Sequence, residues 1–211
     1  MILPDPIPLL TKAPVIPVLT IARIEDAVPL ARALAAGGLP VIEVTLRTPV
    51  ALDAVRAIVA AVPECIVGVG TVTEVPDIRH ALDAGAKYLV SPGTTDELAD
   101  AFTRTPVPVL PGCATVSEAM TLAARGFRVL KFFPAEAAGG VNFLKSIAAP
   151  LPSLKFCPTG GIDPRNAASY LALPNVLAVG GSWVAPKEAI AAGDFARVTA
   201  LAREAAGFAR S

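Results

Sequence analysis

Two charged side chains interrupt segments that are otherwise apolar and β-branched. Glu43 lies in Val41-Ile42-Glu43-Val44-Thr45-Leu46-Arg47, and Lys131 in Val129-Leu130-Lys131-Phe132-Phe133. As strands, these segments alternate with a period of two. Val41, Glu43, Thr45 and Arg47 then share one face, opposite Ile42, Val44 and Leu46. Likewise Val129, Lys131 and Phe133 oppose Leu130 and Phe132. Burial disfavours an ammonium relative to the neutral amine, and a neutral amine is a nucleophile for carbonyl carbon. A carboxylate on an inward register is a candidate for moving the protons that such chemistry needs. The alternative is a structural pair, Lys131 answering Glu43 across a core. Buried ion pairs are poor stabilisers, which weighs against a purely structural role.

A second constellation lies near the chain end. Thr159-Gly160-Gly161 follows one apolar run and Gly180-Gly181-Ser182 follows the next. Backbone N–H groups of glycine turns can hold a phosphate, because the missing side chain lets the anion approach. Either Gly-Gly alone could be only a tight turn. Thr71, after Gly68-Val69-Gly70, leaves a strand toward the same end and could equally be a helix cap. The other lysines read differently: Lys87 and Lys155 stand at strand beginnings, and Lys12, Lys145 and Lys187 lie where water can reach them. The single histidine, His80, sits in the polar helical stretch Asp77–Leu82 and is expected at the surface. Its isolation argues against a polyhistidine metal site and against Ser-His or Cys-His catalysis.

The elements that must position these residues recur regularly. Apolar runs begin at Val15–Thr20, Val41–Leu46, Ile66–Val69, Tyr88–Val90, Val107–Leu110, Val129–Phe133, Lys155–Cys157 and Val176–Val179. Their starts lie roughly two dozen residues apart, the length of one strand, one helix and two tight loops. Amphipathic, alanine-rich stretches lie between them, as in Asp26–Ala36, Val50–Val62 and Thr95–Phe102. Thr115-Val116-Ser117-Glu118 has the capping-box pattern, and Asp163-Pro164 predicts a helix start. Gly37-Gly38, Gly85 and Gly126 fall where helices should end. Eight such units predict an α/β fold, a single-domain (β/α)8 TIM barrel spanning 1–211, with 1–13 as an N-terminal extension. A doubly wound open sheet is the rival, but Thr20-Ile21-Ala22-Arg23 replaces its usual glycine-rich turn after the first strand.

Composition narrows the function classes. The 211 residues carry 18 basic and 18 acidic side chains, which gives no global pull toward nucleic acid or anionic lipid. With 54% hydrophobic and 17% charged residues, the chain is not of disordered composition. The 21 prolines fall mostly at element edges and punctuate the units. The longest uncharged run, Asn166 to Pro186, is broken by Pro174-Asn175 and Gly180-Gly181, so no membrane span is expected. The N-terminus lacks a basic region followed by an unbroken apolar core, so no signal peptide is expected. Cys65, Cys113 and Cys157 cannot all pair within one chain; reduced thiols and a cytoplasmic location are the expectation.

Taken together, the segments Glu43-Val44-Thr45-Leu46-Arg47-Thr48, Ser91-Pro92-Gly93, Lys131-Phe132-Phe133-Pro134-Ala135-Glu136, Pro158-Thr159-Gly160-Gly161-Ile162 and Gly180-Gly181-Ser182-Trp183 resemble the 2-keto-3-deoxy-6-phosphogluconate (KDPG) and 4-hydroxy-2-oxoglutarate (KHG) aldolase family. The likeness runs from about Val15 to Ala206. It implies a class I aldolase in which Lys131 forms a Schiff base and Glu43 is the general acid–base. It further implies that Arg47 and Thr71 hold the carboxylate and pyruvyl part of the substrate, and that Pro92 and Phe133 line the pocket. Thr159, Gly160, Gly161 and Ser182 would surround the phosphate. The resemblance also implies a small phosphorylated keto-acid substrate, a homotrimer, and neither metal nor cofactor. Val69 stands where relatives usually have alanine, and Cys113-Ala114 in a variable part of the fifth-strand motif. Specificity near the pyruvyl group is therefore what the resemblance specifies least. A phosphosugar isomerase or epimerase, or a catalytically silent phosphate-binding barrel, remain the alternatives to separate.

Overall fold

A computed structural model describes residues 3–209. The apolar runs form short strands, every paired one parallel: β1 (Val15–Leu19), β2 (Val41–Thr45), β3 (Ile66–Gly70), β4 (Tyr88–Val90), β5 (Val109–Leu110), β6 (Gly112–Cys113), β7 (Val129–Phe132), β8 (Lys155–Pro158) and β9 (Val179–Gly181). They are ordered β5-β4-β3-β2-β1-β9 and β6-β7-β8. Pro111 supplies no N–H and divides one strand position into β5 and β6. Bridges Phe156↔Val176 and Thr159↔Gly180 join β8 to the β9 region. Eight strand positions thus close into a (β/α)8 barrel.

Helices follow the strands: α2 (Ile24–Ala36), α3 (Ala51–Ala61), α4 (Val75–Asp83), α5 (Asp96–Phe102), α6 (Val116–Ala124), α7 (Gly140–Ala148), α8 (Ala167–Leu171), α9 (Lys187–Ala191) and α10 (Phe195–Ala206), after a short α1 (Ile7–Leu10). The box at α6 forms: the Glu118 N–H donates to Thr115 Oγ1, and Glu118 Oε2 accepts from the Thr115 N–H. Gly38, Gly85 and Gly126 take positive φ just beyond α2, α4 and α6. His80 is exposed on α4. None of the described helices is long and apolar enough to cross a membrane.

Three boundaries differ from expectation. The fifth strand begins at Val109 and continues past Pro111 to Cys113. The eighth lies at Val179–Gly181, not Val176–Val179, because its ladder is set by the pairing of Val15 with Val179 and Pro17 with Gly181. Neighbouring backbone outweighs side-chain propensity there. Asp163 does not cap α8 directly. Its carboxylate accepts from the Arg165 N–H at 2.8 Å and closes a turn, and the helix begins at Ala167.

Alternation along the strands separates two apolar layers. Ile42, Val44, Leu89, Leu130, Phe132 and Phe156 face outward and are buried beneath the helices. Ile16, Val41, Val90, Leu110 and Val129 face inward, and Leu9 and Leu10 of α1 join them. Val41 and Val129 are the first residues of their strands, so α1 closes the N-terminal end of the barrel. The other end is left for chemistry.

Candidate active site

Glu43 is the third residue of β2 and Lys131 the third of β7, each one period-two step beyond a plug residue, Val41 or Val129. The Lys131 Nζ donates to Glu43 Oε1 at 3.1 Å. The two residues are only 3% and 4% exposed, which places the ion pair inside the barrel. Lys12, Lys87, Lys145 and Lys187 are exposed, and Lys155 donates to the Pro174 carbonyl at 2.7 Å. Lys131 is therefore the one buried lysine among the described residues.

Small residues make room for the pair. A β-carbon at Gly70 would lie 2.0 Å from Glu43 Oε1, so the carboxylate occupies the space over that glycine. Gly112, the strand neighbour of Lys131, is covered by the Pro92 backbone. The buried Ser91 Oγ accepts from the Gly112 N–H at 3.0 Å, and Thr94 Oγ1 donates to the Gly112 carbonyl at 2.9 Å. These bonds hold Pro92 beside the lysine strand. On its other side Lys131 neighbours Cys157 of β8. The Phe133 ring lies with its centroid 5.5 Å from Lys131 Nζ, within cation–π range.

The other expected site residues all stand just past strand C-termini, and parallel pairing carries them to one end of the barrel. Arg47 follows β2, and its Nε donates to Thr71 Oγ1 at 3.2 Å. Thr71 follows β3 with φ 63°, in the left-handed region that a β-branched residue seldom adopts. Thr159 follows β8 and is buried against Gly180, where a β-carbon would meet its Oγ1 at 2.2 Å. Gly160 (φ 102°) and Gly161 (φ 76°) form a loop that glycine adopts without strain. This loop is tied to the β7 loop by the Ala135 N–H to Thr159 O and the Glu136 N–H to Gly160 O, at 2.8 and 3.1 Å. The Tyr170 hydroxyl donates to Glu136 Oε1, bracing the same loop from α8. Ser182 is exposed after β9. Among the described residues, the backbone N–H groups of Gly161 and Ser182 donate to no protein carbonyl, leaving both available to an anion.

Several contributors escape a reading of sequence alone. Tyr88 stands with its ring over Gly68 and is 1% exposed, with no protein hydrogen-bond partner for its hydroxyl among the described residues. Its period-two phase with Val90 signalled an inward position, but a tyrosine at a strand start otherwise reads as core. Burial pushes the Cys157 thiol up to about 12, outweighing the pull of the Lys131 charge. Conversely, Val69 and Cys113 belong to the outer layer under the helices. Neither side chain faces the pocket, so neither tunes specificity there by contact.

A dry amine in hydrogen-bond contact with a carboxylate, opening toward loops that present an arginine and free backbone N–H groups, can condense with a carbonyl while an anionic tail is held at a distance. Comparison with known proteins points the same way. The family model for aldolases of the KDPG and KHG type matches residues 7–201. The KHG/KDPG aldolase of Escherichia coli K12 is 52% identical over 197 residues, covering 93% of this chain and 92% of that protein. A solved KDPG aldolase from Legionella pneumophila, with pyruvate captured as a covalent carbinolamine intermediate, is 45% identical with a TM-score of 0.94, covering 96% of this chain and 98% of that one. The 2-keto-3-deoxy-6-phosphogluconate aldolase of Zymomonas mobilis ZM4, solved with 3-phosphoglycerate, is 46% identical with a TM-score of 0.92, covering 98% and 97%.

Proposed function

The chain belongs to the KDPG and KHG aldolase family, and on that premise we propose that it cleaves KDPG to pyruvate and D-glyceraldehyde 3-phosphate through a Schiff base on Lys131, with Glu43 as the acid–base. It is an aldehyde-lyase of class I, and cleavage of 4-hydroxy-2-oxoglutarate to pyruvate and glyoxylate is its second reaction. The observation that carries the residue assignment is the 3.1 Å contact between Lys131 Nζ and Glu43 Oε1 inside the barrel.

That contact allows one carboxylate to move every proton of the cycle. Transfer of a proton from Lys131 to Glu43 frees the amine to attack and leaves the acid loaded with its proton. The amine adds to the C2 ketone, giving a carbinolamine. Glu43 then protonates the departing hydroxyl, and water leaves an iminium ion. The ionised Glu43 next takes the C4 hydroxyl proton as the C3–C4 bond breaks. The bond electrons flow into the iminium, and the aldehyde is released. Glu43 returns the proton to C3 of the enamine, and hydrolysis of the resulting iminium frees pyruvate and the lysine. Arg47, with Thr71, binds the substrate carboxylate, and Pro92 and Phe133 line the pyruvyl pocket. Thr159, Gly160, Gly161 and Ser182 hold the phosphate, whose binding energy orients the reacting carbons.

By the same reading the chain forms one domain over 1–211, works in the cytoplasm without a cofactor or metal, and assembles as a homotrimer, which sedimentation equilibrium can test. The test of the chemistry is borohydride reduction in the presence of pyruvate followed by peptide mapping. A single adduct on Lys131 is expected. An adduct on another lysine, or none on the folded protein, overturns the assignment and would favour an isomerase or a silent phosphate-binding barrel.

A further inference from the structure

Glu43, Gly68 and Tyr88 form one lateral row across β2, β3 and β4, since Gly68 is the strand partner of both Glu43 and Tyr88. Adjacent strands lie about 4.8 Å apart, so a side chain at 68 would normally fill the gap between the outer two. Here the phenol fills it: Cζ of Tyr88 lies 2.2 Å from where a Gly68 β-carbon would stand. The hydroxyl is thus directed across Gly68 toward β2, while the Glu43 carboxylate leans over Gly70, the next position on the same face. Tyr88 is 1% exposed and its hydroxyl finds no protein partner among the described residues. Buried hydroxyls are seldom left unbonded, and a single water commonly completes them. Burial first, then the charges of Glu43 and Cys157, push the phenol well above its ordinary range, so it stays a donor.

We propose that Tyr88 is a positioning residue for Glu43: its hydroxyl donates through one buried water to the carboxylate and holds it in the orientation that serves Lys131. The proposal rests on the acid–base reading of Glu43 given above. The other titratable and charged groups facing Glu43 are Lys131 on β7 and Cys157 on β8, with Arg47 past the end of β2 toward the mouth. All three are unchanged in a Tyr88→Phe variant. Loss of the donor leaves the carboxylate free to turn away from Lys131, so kcat falls while substrate binding does not.

The test compares the parent, Tyr88→Phe, Glu43→Gln and the double variant in KDPG cleavage between pH 5 and 9. Tyr88→Phe should lower kcat about tenfold across this range and leave KM within about twofold. Borohydride trapping by pyruvate should persist. In the Glu43→Gln background the Tyr88→Phe change should have no further effect. A Tyr88→Phe profile that superimposes on the parent's, or a full additional loss in the double variant, overturns the proposal. Near-normal cleavage by Glu43→Gln would instead remove the reading beneath it. A high-resolution crystal structure of the parent gives a measure independent of variant folding. One water within hydrogen-bond distance of both Tyr88 Oη and the Glu43 carboxylate supports the proposal, and its absence from clear density overturns it.

Discussion

The two ends of the barrel interior use the same strands and the same inward register, yet one is a core and the other a reaction chamber. On β2 the step from Val41 to Glu43 crosses from one to the other, and on β7 the step from Val129 to Lys131 does so. Below, Leu9 and Leu10 fill the space with hydrocarbon. Above, Gly70, Gly112 and Gly180 withdraw their side chains, and a carboxylate, a proline backbone and a threonine hydroxyl move into the room. The lower half keeps water from reaching the lysine from beneath. The upper half decides what may reach it. Hydrophobic sealing and reactivity are thus two consequences of one alternating pattern.

The sharpest way to break this comparison is to remove the amine. Lys131→Ala should abolish the pyruvate adduct and lower kcat/KM by about 10^4-fold or more, since no other lysine among the described residues is buried there to supply an amine. Lys131→Arg should behave alike, because a guanidinium stays charged. Steady-state cleavage assays on folded protein, verified by circular dichroism, decide it. Residual cleavage within a hundredfold of the parent would detach the lysine from the chemistry.

Gly70→Ala asks whether the empty space above is as necessary as the amine. The new β-carbon falls 2.0 Å from the present Glu43 Oε1, and the carboxylate must move. A displacement near 1 Å at a catalytic group costs about 10²-fold in rate, so kcat should fall by about that factor while the fold persists. An unchanged kcat would mean that the carboxylate works from another position.

The matching substitution below is Leu10→Ala. Leu10 is fully buried beneath the strands, and truncation there should cost about 2–5 kcal/mol. Each kcal/mol corresponds to about 2–4 °C in Tm for a chain of this size. The kcat per folded molecule should stay near the parent's, separating sealing from chemistry. Calorimetry beside the cleavage assay gives both numbers, and a catalytic loss with unchanged Tm would contradict the division.

Much of this division was legible in the residues themselves. A charge within a β-branched run is rare enough that Glu43 and Lys131 could be read as interior groups, and Gly160-Gly161 stands past β8 as read, whereas Gly180-Gly181 lies inside β9. What the residues concealed was contact across strands. Gly68 and Gly70 matter because of which side chains lean over them, and nothing in Gly68-Val69-Gly70 names Tyr88 or Glu43 as the neighbour. Strand eight was misplaced by three residues for a related reason. Val176 has the better β propensity, but the ladder with Val15–Pro17 selects the glycine-rich segment. Val69 and Cys113 looked relevant to specificity until the register placed them outside.

The outer layer offers the smallest and most pH-specific test. Burial pushes the Cys113 thiol up to about 12, with a lesser contribution from Glu118. The unfolded chain ionises this thiol near pH 9, whereas the folded one retains its proton, so above pH 9 the unfolded state binds fewer protons. By linkage the Cys113 contribution to stability is complete below pH 9 and is lost as pH rises toward 12. The loss amounts to about 1.4 kcal/mol per pH unit in that window. Urea unfolding at pH 7, 9 and 10.5 should therefore show a falling arm that Cys113→Ala makes shallower, whatever constant offset the smaller side chain adds. Because Cys113 lies under the helices, the same variant should keep its kcat at neutral pH. An unaltered alkaline arm would mean that the thiol is reached by water, and a lost kcat that the barrel wall transmits packing changes inward to the lysine.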